Sequence, residues 1–331
     1  MLEGHLVREL LGASWQSLPG FQVHEIFHGL TAPGFLFGAG FTFAIATQRK
    51  AHLLRGFSRP VLRRIWRGVS LILIGYALHL PYLSLTKTLE TATPAEWESF
   101  LLFDVLQLIG LCVVALRLLY VFFRKESAFL AATSVAGFLL VLGTPLVWDS
   151  AAVRNGPLWL STALTGWFQS PFPVFPYAAF VLAGVLASWG FLRAQQTDQE
   201  RRFMVQLLIV GALMIFGGMV LDLLPVTAYG WEDFWYTAPS YFWLRLGLLL
   251  VALGGLWFLE DRVVGTRHEM FWMPRWITTM GVESLFVYIA HLLLLYGSVF
   301  NPTQHMGAWL GRDLSPAVAA LWVIPFVAVH A

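Results

Sequence analysis

Nine apolar stretches, separated by short connections, run through this chain at about 27–47, 68–86, 100–122, 127–147, 171–192, 203–224, 241–259, 276–298 and 315–330. A helix that crosses a bilayer needs roughly 20 mainly apolar residues, and only the last stretch is short. The runs are continuously apolar rather than alternating over strand-length segments, which selects helices over a barrel. Only 12% of residues are charged, against about 25% in an ordinary soluble domain, so most of the surface has to face hydrocarbon. The expected fold is all-α: a polytopic transmembrane helical bundle, one integral-membrane domain over 1–331.

Lys and Arg resist translocation and collect in cytoplasmic loops. Fifteen of them fall in one set of alternate loops, with Arg49, Lys50 and the run from Arg55 to Arg67 heading that set, against four in the other, Arg8, Lys87, Arg154 and Arg312. The 48–67 loop is therefore placed inside, and 9–26, 87–99, 148–170, 225–240 and 299–314 outside. Trp97, Trp148, Trp159, Trp167, Trp231, Trp235 and Trp309 fall in those outer segments, as an interfacial aromatic belt would. The net charge of +2 reflects the inner-loop bias and gives no case for nucleic acid. Cys112, the single cysteine, lies within a span, which rules out an internal disulfide.

An outside N-terminus ahead of so many spans calls for an earlier start-transfer helix, yet Met1 is followed only by LEGHLVRELL. The other end stops at PFVAVHA inside an apolar run. The expectation is a parent of ten or eleven helices, shortened here at both ends.

An ionisable group in hydrocarbon costs at least a few kcal/mol, so each one inside a span is a site candidate by default. These are His79, Asp104, Gln107, Asp222, Arg245, Glu283 and His291, with Arg117 near an inner end where it can snorkel. Once orientation is fixed, all but Glu283 and Arg117 fall at outer-leaflet depth, just below His5, His24, Glu25 and His28. That common depth predicts a cavity opening outward. Asp104 and Gln107 are three apart and share a helix face, as do Ser284, Tyr288 and His291. A carboxylate at Asp104 needs a cation, for which Arg245 is the candidate.

His24 and His28 are four apart, and the HEIFH segment reads as H-E-x-x-H. Three readings stay open: a general base, for which imidazole is best matched at neutral pH; a zinc pair; or interfacial polarity. No third ligand is evident and the segment runs straight into GLTAPGFLFGAG, a poor setting for a protease helix, so no metal is expected. The basic 48–67 loop offers charge to phosphates, yet the positive-inside rule explains it without any ligand.

Four segments in order, HGLTAPGFLFGAGFTFAIATQRK at 28–50, FDVLQLIGL at 103–111, FPVFPYAAFVLAGVLAS at 172–188 and GVESLFVYIAHLLLLYG at 281–297, resemble the heparan-alpha-glucosaminide N-acetyltransferase catalytic-domain family of the membrane acyltransferase superfamily. The resemblance implies an O- or N-acyltransferase that moves an acetyl or other acyl group from cytosolic acyl-CoA, acetyl-CoA above all, to a sugar-type acceptor at the extracytoplasmic side. It also implies an integral protein of a bacterial cytoplasmic membrane. Its partners would be the bilayer, the acyl donor, a glycan or other small acceptor, and a possible further copy of the chain. The opening LEGH resembles the end of the family's first helix, which brings in His5. GASW at 12–15 resembles the segment that carries the family's catalytic His, but this chain has Gly12, which leaves His28, His24 and His5, in that order, for the base. The resemblance implies Asp104, Gln107 and His291 as substrate-binding residues; the charge and depth of Arg245 add it to them, and Arg245 or Gln107 would steady charge on the thioester oxygen. The competing reading is a transporter or flippase without covalent chemistry, against which the lack of a recognisable inverted repeat counts.

Overall fold

A helix stands at each of the nine apolar stretches in the computed structural model, which describes residues 1–54, 56–223, 229, 233, 235–264, 275–297 and 304–330. In chain order the principal helices are α1 (Leu2–Leu10), α2 (Pro19–His28), α3 (Thr31–Gln48), α4 (Arg59–Leu78), α5 (Val105–Phe122), α6 (Glu126–Asp149), α7 (Val174–Gln196), α8 (Glu200–Leu223), α9 (Pro239–Val264), α10 (Arg275–Val282), α11 (Ser284–Tyr296) and α12 (Pro316–His330). Among the described residues no strand forms, and an isolated parallel bridge joins Leu11 to Leu314. Among the described residues six helical stretches are long and apolar enough to span a membrane: α2 with α3, then α5, α6, α7, α8 and Pro239–Asp261 of α9. The protein is an integral membrane protein.

Three boundaries differ from those read in the sequence. The second span is expected at 68–86, but its helix begins at Arg59 and ends at Leu78. Arginine is a good helix former and Pro60 sits in the first turn, where a missing N–H costs nothing, so the basic half of the 48–67 loop is helical. The third span begins at Val105 rather than near 100, because Asp104 caps it: Val105 N–H donates to Asp104 Oδ1 at 2.6 Å. The eighth is interrupted at Glu283, between α10 and α11.

The chain divides into two compact units, residues 1–31 with 258–331, and residues 32–257. In the first, Leu2, Leu6 and Leu10 recur every four residues along α1 and pack with Val287 and Leu295 of α11 and Phe326 of α12. In the second, α4 pairs with α5, and α7 packs against α5, α6 and α8. Glycine sets how closely these helices approach. A Cβ on Gly110 would meet the Gly68 carbonyl at 2.5 Å across the α4–α5 crossing, and one on Gly40 would strike the Val181 carbonyl across α3 and α7. Close approach through small residues is how helices gain van der Waals contact when lipid offers no hydrophobic drive.

Candidate active site

Three imidazoles from three helices meet in the first unit. The apolar stripe of α1 holds that helix against α11 and leaves His5 beside it, with the His5 ring centroid 5.5 Å from that of His28 on α2 and 5.2 Å from that of His291 on α11. His24, one turn before His28, stacks on it at 6.0 Å with the rings 13° from parallel. The four histidines predicted from sequence therefore form one cluster, and the i, i+4 pair on α2 shares a face as its spacing requires.

Hydrogen bonds orient each ring. His291 is fully buried and its Nδ1 lies 3.0 Å from the Val287 carbonyl. A carbonyl only accepts, so Nδ1 carries the proton, and Nε2 is a buried acceptor without a partner among the described residues. His24 Nε2 donates to Glu3 Oε1 at 2.8 Å, and Arg8 lies 3.8 Å from Glu25, so two charged contacts tie α1 to α2. His5 Nδ1 lies 3.1 Å from the Tyr296 hydroxyl. His28 packs its Nδ1 edge onto Gly4, where a Cβ would occupy the same space, and that nitrogen is buried without a partner among the described residues.

Glu3, Gly4 and Tyr296 were not singled out in the sequence. Glu3 and Gly4 flank His5 in a helix whose Leu stripe is plain, so the stripe was a usable signal for α1. Tyr296 is five residues from His291 and therefore lies off its i, i+4 stripe, which left no signal. The Ser284, Tyr288 and His291 stripe does face inward: Tyr288 and His291 are buried and their rings lie 5.5 Å apart.

Of the remaining predicted residues, Glu283 lies in the first unit, where it separates α10 from α11, and His79, Asp104, Gln107, Arg117, Asp222 and Arg245 lie in the second. Asp104 is a helix cap rather than a face residue, and its Oδ2 lies 4.0 Å from His79 Nε2, whose Nδ1 donates to the Gly75 carbonyl at 3.0 Å. Arg245 turns to Tyr241, donating to its hydroxyl at 2.7 Å with the guanidinium 4.0 Å from the ring centroid, so the expected ion pair with Asp104 is not among the described contacts. The helical register explains it: Tyr241 is one turn before Arg245 and reaches it first. Gln107 is fully buried against Gly75, its Nε2 donating to the Leu102 carbonyl at 3.3 Å and its Oε1 without a partner among the described residues. Arg117, expected to snorkel, is instead 1% exposed and donates to Thr47 Oγ1 at 2.9 Å.

Between α4 and α5 the connection is fastened by Tyr82, whose hydroxyl donates to Glu96 Oε1 at 2.5 Å, while Glu96 Oε2 accepts from the Thr93 N–H at 2.8 Å. The Tyr82 bond, followed by the Thr93 bonds, holds the Glu96 carboxyl below its ordinary range, and the same bond to Glu96 raises the Tyr82 phenol. Among the described residues no group of three His, Cys, Asp or Glu could hold a metal ion.

A family model described as heparan-alpha-glucosaminide N-acetyltransferase, catalytic, matches residues 1–222. No curated protein and no solved structure matches the chain.

Proposed function

Since the chain belongs to the heparan-alpha-glucosaminide N-acetyltransferase catalytic family, whose activity is membrane acetyl transfer, we propose that it carries an acetyl or related acyl group from acyl-CoA, taken up on its Lys/Arg-rich cytoplasmic face, to a sugar hydroxyl or amine on the opposite face. The convergence of His5, His28 and His291 supports this reading, because acyl transfer needs a positioned base and a hydrophobic fold rarely gathers imidazoles without use for them. The family match runs through residues of both compact units, which supports treating 1–331 as one catalytic domain.

In the proposed reaction His28 is the base. Its Nδ1 is shut in against Gly4, which leaves Nε2 for the acceptor. Nε2 takes the proton of the acceptor hydroxyl or amine as its oxygen or nitrogen attacks the thioester carbonyl. The tetrahedral intermediate then collapses, the C–S bond breaks, and the imidazolium returns the proton to the CoA sulfur. His24 is held by Glu3 and His5 by Tyr296, so each supports the geometry around His28. His291 is assigned to substrate binding within this cluster; Asp104, Gln107 and Arg245 keep that proposed role in the second unit.

The test supplies membranes containing the protein with acetyl-labelled acetyl-CoA and a panel of amino sugars and lipid-linked sugars. Incorporation of label that falls by about 10²–10⁴-fold in His28→Ala is expected for a positioned base. Uptake of substrate without incorporation would remove the transferase reading in favour of transport.

A further inference from the structure

We propose that the concavity between the end of α3 and the start of α4 is a binding site for a phosphate ester. Thr42, Ile45, Ala46, Arg49, Lys50 and Arg64 line an open hollow of about 290 Å³, close to the lower bound of roughly 300 Å³ for small-molecule sites. The four residues from Thr42 to Arg49 follow the i, i+3, i+4, i+7 spacing of one helical face, and Arg64 reaches in from α4. Three cations thus surround one hollow, and none of them has a carboxylate partner among the described residues.

The positive-inside rule accounts for basic residues on this side but asks nothing of their arrangement. Arg63 and Arg67 meet it without lining the hollow, although Arg49 and Lys50 are exposed as well. Arg49, Lys50 and Arg64 instead share a concave surface, where like charges repel one another unless an anion sits between them. A second observation points the same way. Arg117 of α5 is bonded to Thr47 in the last turns of α3 and lies within electrostatic range of Arg64, yet its Nε and Nη1 are buried without partners among the described residues. The guanidinium rests on the Phe43 ring, 4.6 Å from its centroid, but two buried nitrogens without a hydrogen bond still leave its charge costly. It deepens the positive potential at this end of α3, and a phosphate in the adjacent hollow offsets it. Guanidinium groups present paired N–H donors that match two phosphate oxygens, which suits Arg49 and Arg64 to the ligand.

Two sources carry that chemistry: the 3′-phosphate and diphosphate of CoA, and the phosphodiester headgroup of an anionic lipid. The first rests on the acyl-CoA reading above, whereas the second does not. Binding of CoA and of 3′-dephospho-CoA to the full chain in phosphatidylcholine nanodiscs is measured by calorimetry, and retention of phosphatidylglycerol is measured by native mass spectrometry. Arg49→Gln and Arg64→Gln should each weaken at least one of these ligands roughly tenfold or more, with Arg63→Gln, which removes the same charge outside the hollow, near the wild type. Loss in the CoA arm assigns the site to the donor, and loss in the lipid arm alone assigns it to the bilayer and leaves transferase chemistry to be judged separately. Unchanged melting temperature, and partial rescue by Arg64→Lys, separate lost binding from lost folding. The proposal is overturned if the wild type binds neither probe, if both Gln variants bind as it does, or if Arg63→Gln is as damaging as Arg64→Gln.

Discussion

Gly4→Ala tests whether the His28 ring must sit where it does. A methyl group on Gly4 would overlap the His28 ring, contacting Cε1 at 2.5 Å and Cγ at 2.7 Å. Ordinary contacts begin at about 3.5 Å, and the ring Nδ1 would lie closer still than these carbons, so the ring has to retreat by at least about 1 Å. The obstacle is a side chain, not backbone, and the ring can swing at a cost of about 0.5–1.5 kcal/mol for a poorer rotamer. Against that, replacing Gly by Ala inside a helix contributes about 0.5–1 kcal/mol. These terms nearly cancel, so the melting temperature should stay within a few degrees of the wild type. Catalysis has no such offset: a 1 Å misplacement of a reacting group costs on the order of 10²-fold, equivalent to about 2.7 kcal/mol of barrier. Turnover of labelled acetyl-CoA should therefore fall about a hundredfold in a protein that still folds. The double variant Gly4→Ala/His28→Ala should match His28→Ala alone, since the methyl group acts only through the ring it displaces. Wild-type turnover in Gly4→Ala, or losses that multiply in the double variant, would refute His28 as the base.

Tyr296→Phe removes the hydroxyl that holds His5 Nδ1; kcat should fall up to about tenfold, in line with one lost hydrogen bond of about 1 kcal/mol, with KM for the donor unchanged in steady-state assays. Gly110→Ala should lower the thermal midpoint because its Cβ meets the Gly68 carbonyl and the Ile72 side chain, costing about 1–3 kcal/mol, whereas Gly38→Ala, with open space around it, should leave the midpoint unchanged or raised. The Tyr82–Glu96 fastening has a pH window whose sign follows from its two shifts. Glu96 is lowered, so its contribution is present above the ordinary carboxylate range and is lost as pH falls through the lowered value. Tyr82 is raised, so its contribution is present below the ordinary phenol range and is lost as pH rises through the raised value. Hydrogen exchange at the Thr93 and Glu96 amides should quicken beyond both limits, and Tyr82→Phe should abolish the alkaline limb and weaken the acid one.

The helices were legible because lipid imposes a simple requirement: a spanning segment must satisfy its backbone internally and present apolar side chains, and both conditions are written in consecutive residues. The boundaries were less so. Arg59 to Arg67 look like a loop when read as charge, yet their backbone is helical, because hydropathy reports where a segment can sit and not where its hydrogen bonding begins. The position of Asp104 differs from the expected one for a related reason. Placed inside a span it demands a cation, but at the N-cap its charge is met by the Val105 N–H and the helix dipole, with His79 alongside.

The histidine cluster was recoverable from depth and spacing, since His24 and His28 share a face by period and His5 falls just beyond the outer-leaflet depth of His291. What a linear sequence does not hold is which neighbour fixes each ring. Glu3 reaches His24 across 21 positions and Tyr296 reaches His5 across 291. Acceptors fix the donor nitrogen of two rings: the Glu3 carboxylate at His24 Nε2 and the Val287 carbonyl at His291 Nδ1 each take a ring N–H. His28 has neither on its buried Nδ1. Its tautomer, like that of His5 beside the two-way Tyr296 hydroxyl, is dictated by no described neighbour; of those two rings, His28 is the one whose buried Nδ1 has no partner among the described residues, which suits a base required to gain and lose a proton in each cycle.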